Sequence, residues 1–213
     1  MLQIVVMARW PSPGRCKRRL SDDLDTVLGL SNSNERATRI QTRLTQHTAA
    51  VVRSLAACME MEAVLAVSGL GPRGAERWGQ QLGLSRVRLQ GRGKLGTRLR
   101  RQLMHGHRQG IPSLVIGTDL PELNAGDLKQ AIETLQTHDL VLGPASDGGY
   151  WLMGIGASLI HSPQHWPLIG IPWGGSTVLE ATLKAAHVHG MSTALVSRRN
   201  DLDHWSDLRP WLG

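Results

Sequence analysis

Apolar residues fall along the chain in two kinds of run, and their alternation predicts an α/β protein. Short, nearly unbroken apolar runs, as made by strands buried on both faces, occur at 2–8, 62–68, 86–89, 113–117, 139–143, 150–155 and 194–197. Between them lie longer stretches with helical spacing. Residues 34–59 put Ala37, Ile40, Leu44, Val51 and Leu55 on one face, with Asn32 and Glu35 spaced as a capping box. Further helices are predicted over 72–82, over 95–107, after a cap at Asn124, and from the 173–177 turn to about His189, capped by Ser176 or Thr177. The three prolines of 157–172 make that stretch the least regular, as for a lid or an acceptor loop. A short segment from Trp205 to Trp211 closes the pattern.

The stretch 113–156 organises the rest. Its strand, helix and strand read as a βαβ unit, and such a crossover returns the chain parallel. Asp119 and the Asp147-Gly148-Gly149 turn then emerge at the carboxyl edge of one sheet, where open α/β sheets bind ligands. The expected fold is a three-layer α/β/α sandwich with a mostly parallel sheet. A chain of 213 residues can bury one large core and no linker interrupts the pattern, so a single domain over 1–213 is expected.

Charge narrows the partners. The net charge of +7 is carried mostly by arginine, which is either compositional bias or a sign of an anionic partner, and the phosphates of a small nucleotide suffice. No basic ribbon is interleaved with aromatics, so nucleic acid is not expected. Two cysteines, Cys16 and Cys58, make neither a disulfide framework nor a metal site. The histidine pairs 105/107 and 187/189 are spaced i, i+2 and do not share a helix face, which argues against zinc. No apolar run approaches the roughly 20 residues of a membrane span, and a cytoplasmic protein is expected.

Three segments carry candidate chemistry. The loop from Arg9 to Leu20 leaves a strand end with five cations in twelve residues, and Pro13 and Gly14 hold it open. It is either a solvated basic loop or a phosphate grip through Lys17, Arg19 and its amides. Residues 91–96 match the dinucleotide fingerprint, but the turn is interior and Asp119 lies beyond the strand end. A nicotinamide site is therefore disfavoured, and Gly93 and Gly96 are read as letting a helix start approach a nucleotide or a neighbouring strand. Asp119 at a strand end suits a hard divalent ion, which takes one or two carboxylates plus substrate phosphates. Asp147 is either a second ligand or a turn residue, and Asp203 either reaches the metal from the far side or caps the surface. Gly148 and Gly149 allow close backbone approach. Tyr150 and Trp151 point to opposite faces, so one is expected in the core and the other on a sugar or acceptor pocket. Trp173, Ser176 and Thr177 complete that candidate pocket.

Together these segments carry a family resemblance. Pro11-Ser-Pro-Gly-Arg-Cys-Lys-Arg-Arg-Leu20, Gln90-Gly-Arg-Gly-Lys-Leu-Gly96, Gly117-Thr-Asp-Leu-Pro121, Leu142-Gly-Pro-Ala-Ser-Asp-Gly-Gly-Tyr-Trp-Leu152, Trp173-Gly-Gly-Ser-Thr-Val178 and Asp201-Leu-Asp203 occur in that order. They resemble a bacterial glycosyltransferase family with a GT-A-like, nucleotide-diphospho-sugar transferase fold, some of whose members are called arsenosugar biosynthesis glycosyltransferases. The family is similar to the phospholactate guanylyltransferases. Arg18 stands where that family has threonine, and Arg9 where lysine is usual. The resemblance implies a nucleotide-diphospho-sugar donor, Mg²⁺ or Mn²⁺, a small-molecule acceptor, and catalytic roles for Asp119 and Asp147. Nucleotidyl transfer from a nucleoside triphosphate to a small phosphorylated metabolite is the rival, as is a nucleotide-binding module without turnover. A homodimer is left open.

Overall fold

A computed structural model describes residues 1–211, with side chains through Leu208. The apolar runs become β1 (Leu2–Arg9), β2 (Met61–Ser68), β3 (Arg86–Leu89), β4 (Ser113–Ile116), β5 (Leu140–Pro144), β6 (Tyr150–Ile155) and β7 (Thr193–Leu195). The helical stretches become α2 (Ser33–Ala56), α3 (Pro72–Leu82), α4 (Leu95–Gln109), α5 (Ala125–Leu135) and α7 (Val178–Val188), and two helices not expected join them, α1 (Arg18–Thr26), which begins inside the basic loop, and α6 (Ala157–Ile160), with a 3₁₀ turn over Trp205–Trp211. The strands form one seven-stranded sheet in the order β3-β2-β1-β4-β6-β5-β7. Only β6 runs against the others, so the sheet is mostly parallel as expected.

The strands read as apolar runs because both faces are covered. On one face Ile4, Val6, Leu65, Leu114 and Ile116 pack with Val52 and Leu55 of α2, Trp78 of α3 and Leu128 of α5. On the other, Val5, Val64, Val115 and Met153 pack with Leu99 and Leu103 of α4 and Ala186 of α7. Burying each such side chain is worth about 1.5–3 kcal/mol. A smaller cluster of Leu20, Leu24, Leu44 and Leu202 seats α1 against α2 and draws the 201–203 segment to the same end of the sheet.

The order of strands reverses between β1 and β4. The chain steps outward from β1 to β2 and β3, then returns to place β4 on the other flank of β1. The loops leaving the carboxyl ends of β1 and β4 therefore bound a crevice at the switch point.

Several expectations change. The 113–156 unit is not a pair of neighbouring parallel strands, because β6 inserts between β4 and β5 and pairs antiparallel with both, Val115 opposite Met153 and Leu142 opposite Met153. The shared edge of Asp119 and Asp147 survives, since β4 and β5 still point the same way. Asn32 does not form a capping box: its backbone is left-handed at φ 62° and its side chain makes no capping bond. The capping box lies instead at Asn124, which exchanges bonds with Asp127 at the start of α5. Neither Ser176 nor Thr177 caps α7 through its side chain. Residues 157–172 form no open lid, because Leu159, Ile160, Trp166, Leu168 and Ile171 are buried. Finally, α2 is turned by about a residue from the predicted face, burying Gln41, Thr45 and Thr48 beside Leu44 and Val52.

Candidate active site

Lys17 is the hub of the crevice. Its backbone is left-handed at φ 47° as it enters α1, and its side chain turns inward until only 3 % remains exposed. There the ammonium donates to Asp119 Oδ1 at 2.6 Å and Asp203 Oδ1 at 2.8 Å. Burial works against the charge, but attraction by Asp119 and then Asp203 outweighs it and raises the lysine pKa. Lys17 is thus a fixed cation beneath two acids. Asp119 and Asp203 are themselves 44 % and 40 % exposed at the side chain and face the crevice. The Leu202 amide donates to the Asp119 carbonyl at 2.9 Å, which clips the 201–203 segment to the end of β4.

At Asp201 three neighbouring acids outweigh the one cation that answers them. Burial, followed by repulsion from Asp119, Asp147 and Asp203, pushes the Asp201 pKa up from 3.8 to about 7, with Lys17 only partly opposing. Asp201 keeps its proton in the folded protein where the unfolded chain has lost it. Stability therefore falls as pH rises between those two values, and the loss is complete above the higher one. In chelator, the urea midpoint of Asp201→Asn is expected to exceed that of the parent at about pH 8 and to match it near pH 4. Coincident midpoints at both pH values would contradict the assignment.

The donor chemistry of these carboxylates is the test of fit for a divalent ion. Among the described residues no group of three or more His, Cys, Asp or Glu side chains is arranged to hold a metal alone. The donors present are carboxylate oxygens, and a hard ion that borrows substrate phosphate oxygens needs only one or two of them. Asp119 and Asp203 fit that ion. Asp147 is more committed to its turn: it is exposed and its Oδ1 accepts from the Gly149 amide at 2.8 Å.

Three adjoining spaces run along this edge of the sheet. A cleft of about 780 Å³ is lined by Trp10, Gly14, Arg15, Arg18, Leu89, Arg92 and Arg98. It shares Arg9, Arg15 and Arg18 with a cleft of about 390 Å³ around Lys17, Asp119 and Asp203. That in turn shares Met7 and Asp119 with a pocket of about 250 Å³ bounded by Leu99, Tyr150, Met153 and Asp201. The first space is cationic, the second sets two carboxylates among five cations, and the third is mostly apolar with Asp119 and Asp201 at its wall.

The expected site residues distribute unevenly over these spaces. Lys17, expected to grip phosphate, is instead engaged by two aspartates and shielded. Arg19 is exposed, 3.7 Å from Asp203 Oδ2, and lines the middle cleft. Gly14 lines the large cleft with φ 70°, whereas Pro13 is exposed outside its lining. Gly93 lies at the exposed turn, where its carbonyl accepts from Arg98 at 2.8 Å. Gly96 is buried under Trp173, where an added β-carbon would meet indole Cε2 at 2.8 Å. Trp173 meets Tyr150 edge to face at 6.1 Å, so these two do come together beside Asp119. Trp151 enters the opposite core at 4 % exposure, as the alternation of faces required. Burial pushes the Tyr150 hydroxyl pKa up. Ser176 and Thr177 are exposed, and the Ser176 backbone packs on Gly148.

Sequence reasoning passed over Trp10, Arg92, Arg98 and Asp201. Trp10 carried a usable signal, an aromatic at the very end of a strand before a Pro/Gly loop. Gln41 carried none, because its amide reaches the Thr118 hydroxyl at 3.1 Å from 77 residues away.

With this geometry in view, comparison with known proteins is informative. A family model described as "Uncharacterized protein conserved in bacteria (DUF2064)" matches residues 51–175, more than half of the chain. The chain belongs to the DUF2064 family. This DUF2064 chain is 37% identical over 93 residues to 3-phospho-D-glycerate guanylyltransferase of Phenylobacterium zucineum (strain HLK1). That match covers 42% of the chain and 38% of the relative, well under half of the enzyme's length. Its fold is that of a nucleotide-diphospho-sugar transferase from Desulfovibrio desulfuricans G20, with a TM-score of 0.81 over 99% of this chain and 87% of that one at 23% identity. Rv0371c from Mycobacterium tuberculosis H37Rv, solved in complex with manganese, matches at a TM-score of 0.54 and 17% identity over 99% and 97% of the two chains. The first two of these relatives are transferases by name. Among the described residues of this DUF2064 chain no helix is long and apolar enough to cross a membrane.

Proposed function

We propose that this DUF2064 protein is a divalent-metal-dependent nucleotidyltransferase. It joins a nucleoside monophosphate from a nucleoside triphosphate to a small acceptor and releases pyrophosphate. The observation that carries the reading is the charge of the large cleft, where Arg15, Arg18, Arg92 and Arg98 face one space with no acid among its lining residues. A metal-bound nucleoside triphosphate keeps net negative charge, whereas a metal-bound nucleotide sugar is close to neutral, so such a cleft suits the former. The guanylyltransferase relative supports the same chemistry over the part it covers.

In this reading an acceptor oxygen attacks the α-phosphorus and the bond to the bridging β-phosphate oxygen breaks. Arg15, Arg18 and Arg19 hold the departing phosphates, and Asp119 and Asp203 hold Mg²⁺ or Mn²⁺. A metal bound there would neutralise charge on the leaving pyrophosphate. Glycosyl transfer is the second reading, favoured by the Tyr150–Trp173 pair beside Asp119, an aromatic wall suited to a sugar face. Either accords with a cytoplasmic location, where these donors are made.

Incubation with each nucleoside triphosphate, Mg²⁺ and a panel of phosphorylated and neutral acceptors decides between them. Pyrophosphate release is expected; release of a nucleoside diphosphate from nucleotide sugars, with no pyrophosphate from triphosphates, would reverse the order. Trp10 is the expected base platform, since it walls the large cleft and is braced edge to face by Trp78 at 5.2 Å. Trp10→Ala should weaken triphosphate binding by roughly 5- to 100-fold in calorimetry, the value of one base–aromatic stack, while Trp10→Phe stays near the parent. Equal affinities for all three proteins would remove Trp10 from the site.

A further inference from the structure

We propose that Lys17 is a positioning residue for the metal rather than a phosphate ligand. Its ammonium holds Asp119 and Asp203 by one oxygen each and so presents their second oxygens together to one divalent ion. The inference rests on the reading above that these two aspartates hold Mg²⁺ or Mn²⁺.

Four observations carry it. Lys17, Asp119 and Asp203 line one cleft, but the lysine side chain is 3 % exposed while the two carboxylates are 44 % and 40 % exposed, so the acids offer far more of their surface to a ligand than the lysine does. Both acids use Oδ1 for Lys17, at 2.6 and 2.8 Å, and among the described residues the exposed Arg19 guanidinium, 3.7 Å away, is the one cation near Asp203 Oδ2. The backbone at Lys17 is left-handed, at φ 47° and ψ 45°, a conformation an ordinary side chain adopts when its surroundings dictate it. Finally, Asp119 and Asp203 come from loops far apart in the chain, and the Leu202 amide on the Asp119 carbonyl fixes their backbones in the same relation that Lys17 fixes for their side chains.

The chemistry follows. Two carboxylates held side by side repel one another, and a shared buried ammonium lets both stay ionised as a metal requires. Partners that orient a metal's ligands typically change its affinity by about 10- to 100-fold when removed. Phosphate is left to the arginines of the neighbouring cleft, which remain exposed.

The test separates metal from phosphate. Mn²⁺ is titrated into the parent, Lys17→Met and Asp119→Asn, with the free ion followed by electron paramagnetic resonance, and GTP binding is measured separately in EDTA. The Mn²⁺ dissociation constant of Lys17→Met is expected to rise about 10- to 100-fold, with GTP affinity in EDTA unchanged. Unchanged or tighter Mn²⁺ binding, or a loss of GTP affinity in EDTA alone, would overturn the proposal and make Lys17 a rival cation or a phosphate ligand. If the parent binds Mn²⁺ no better than Asp119→Asn, the metal reading itself fails and this proposal falls with it. A measurement on the parent covers the case in which Lys17→Met does not fold. The ¹⁵N-labelled Lys17 ammonium resonance is expected to shift but persist when Mg²⁺ saturates the site, and its loss to solvent exchange on adding Mg²⁺ would overturn the proposal.

Discussion

Asp119→Asn is expected to abolish the metal dependence of nucleotide binding and to lower transfer by on the order of 10²- to 10³-fold, the usual scale for removing one preorganised electrostatic contact to a leaving group. The substitution keeps the shape of the side chain and leaves the bond from the Leu202 amide to the residue-119 carbonyl in place. Lys17 retains Asp203 as its partner. Folding is therefore little affected, and relief of the repulsion on Asp201 works in the stabilising direction. Calorimetric titration of GTP with Mg²⁺ and then with EDTA reads the effect directly. A variant that still gains affinity from Mg²⁺ as the parent does would show that Asp119 is not a ligand, and the active site would have to be sought elsewhere on this edge.

Gly148→Ala is expected to cost folding stability by about 2–5 kcal/mol, combining the penalty for a side chain in left-handed backbone with that for overpacking. Gly148 has φ 87°, and a β-carbon there would come within 2.6 Å of the Ser176 carbonyl carbon and nearer still to its oxygen. The obstruction is backbone on both sides, since the Leu179 amide also donates to the Gly148 carbonyl at 2.9 Å. Nothing flexible can yield. Relaxation would have to open the contact between the 145–149 loop and the start of α7, which also carries Trp173 to its place against Tyr150. A shift of the urea midpoint at constant slope measures the cost, and a midpoint within error of the parent would mean that the two loops are not packed this closely in solution. Gly149→Ala is the control, because its added carbon meets only the Asp147 side chain, at 3.1 Å, and φ there is not positive.

The two substitutions probe different layers of one arrangement. In the proposed site Asp119 holds the metal, whereas Gly148 packs the 145–149 loop against the start of α7. A loss of activity in Gly148→Ala restored by lower temperature would report stability, while the loss in Asp119→Asn would persist.

Much of this architecture was legible in the chain. The period of apolar residues located all seven strands and the main helices because period reports burial, and a strand covered on both faces leaves an unmistakable run. Pro121 beyond a strand, and Asn124 at a helix start, fixed local boundaries through backbone chemistry that needs no distant partner. The candidate acids Asp119, Asp147 and Asp203 were found for a related reason. Strand ends and glycine turns announce themselves locally, and the parallel direction of the strands carries them to one edge.

What period cannot encode is partnership. That β6 enters between β4 and β5 depends on which of several equally apolar strands pairs with which, and each would look the same in isolation. The ion pairs of Lys17 were hidden on the same ground, since a cation in a basic loop gives no sign that the fold brings Asp203 to it from 186 residues away. Likewise α2 buries Gln41 and Thr45 on its inner face, because Thr118 at the end of β4 supplies a polar partner that the helix cannot foresee. Sequence determined which groups lie at the carboxyl edge. Only the tertiary structure decided which of them are spent on one another and which are left to face a substrate, because a charge is neutralised by whatever stands within a few ångströms, however far off it lies along the chain.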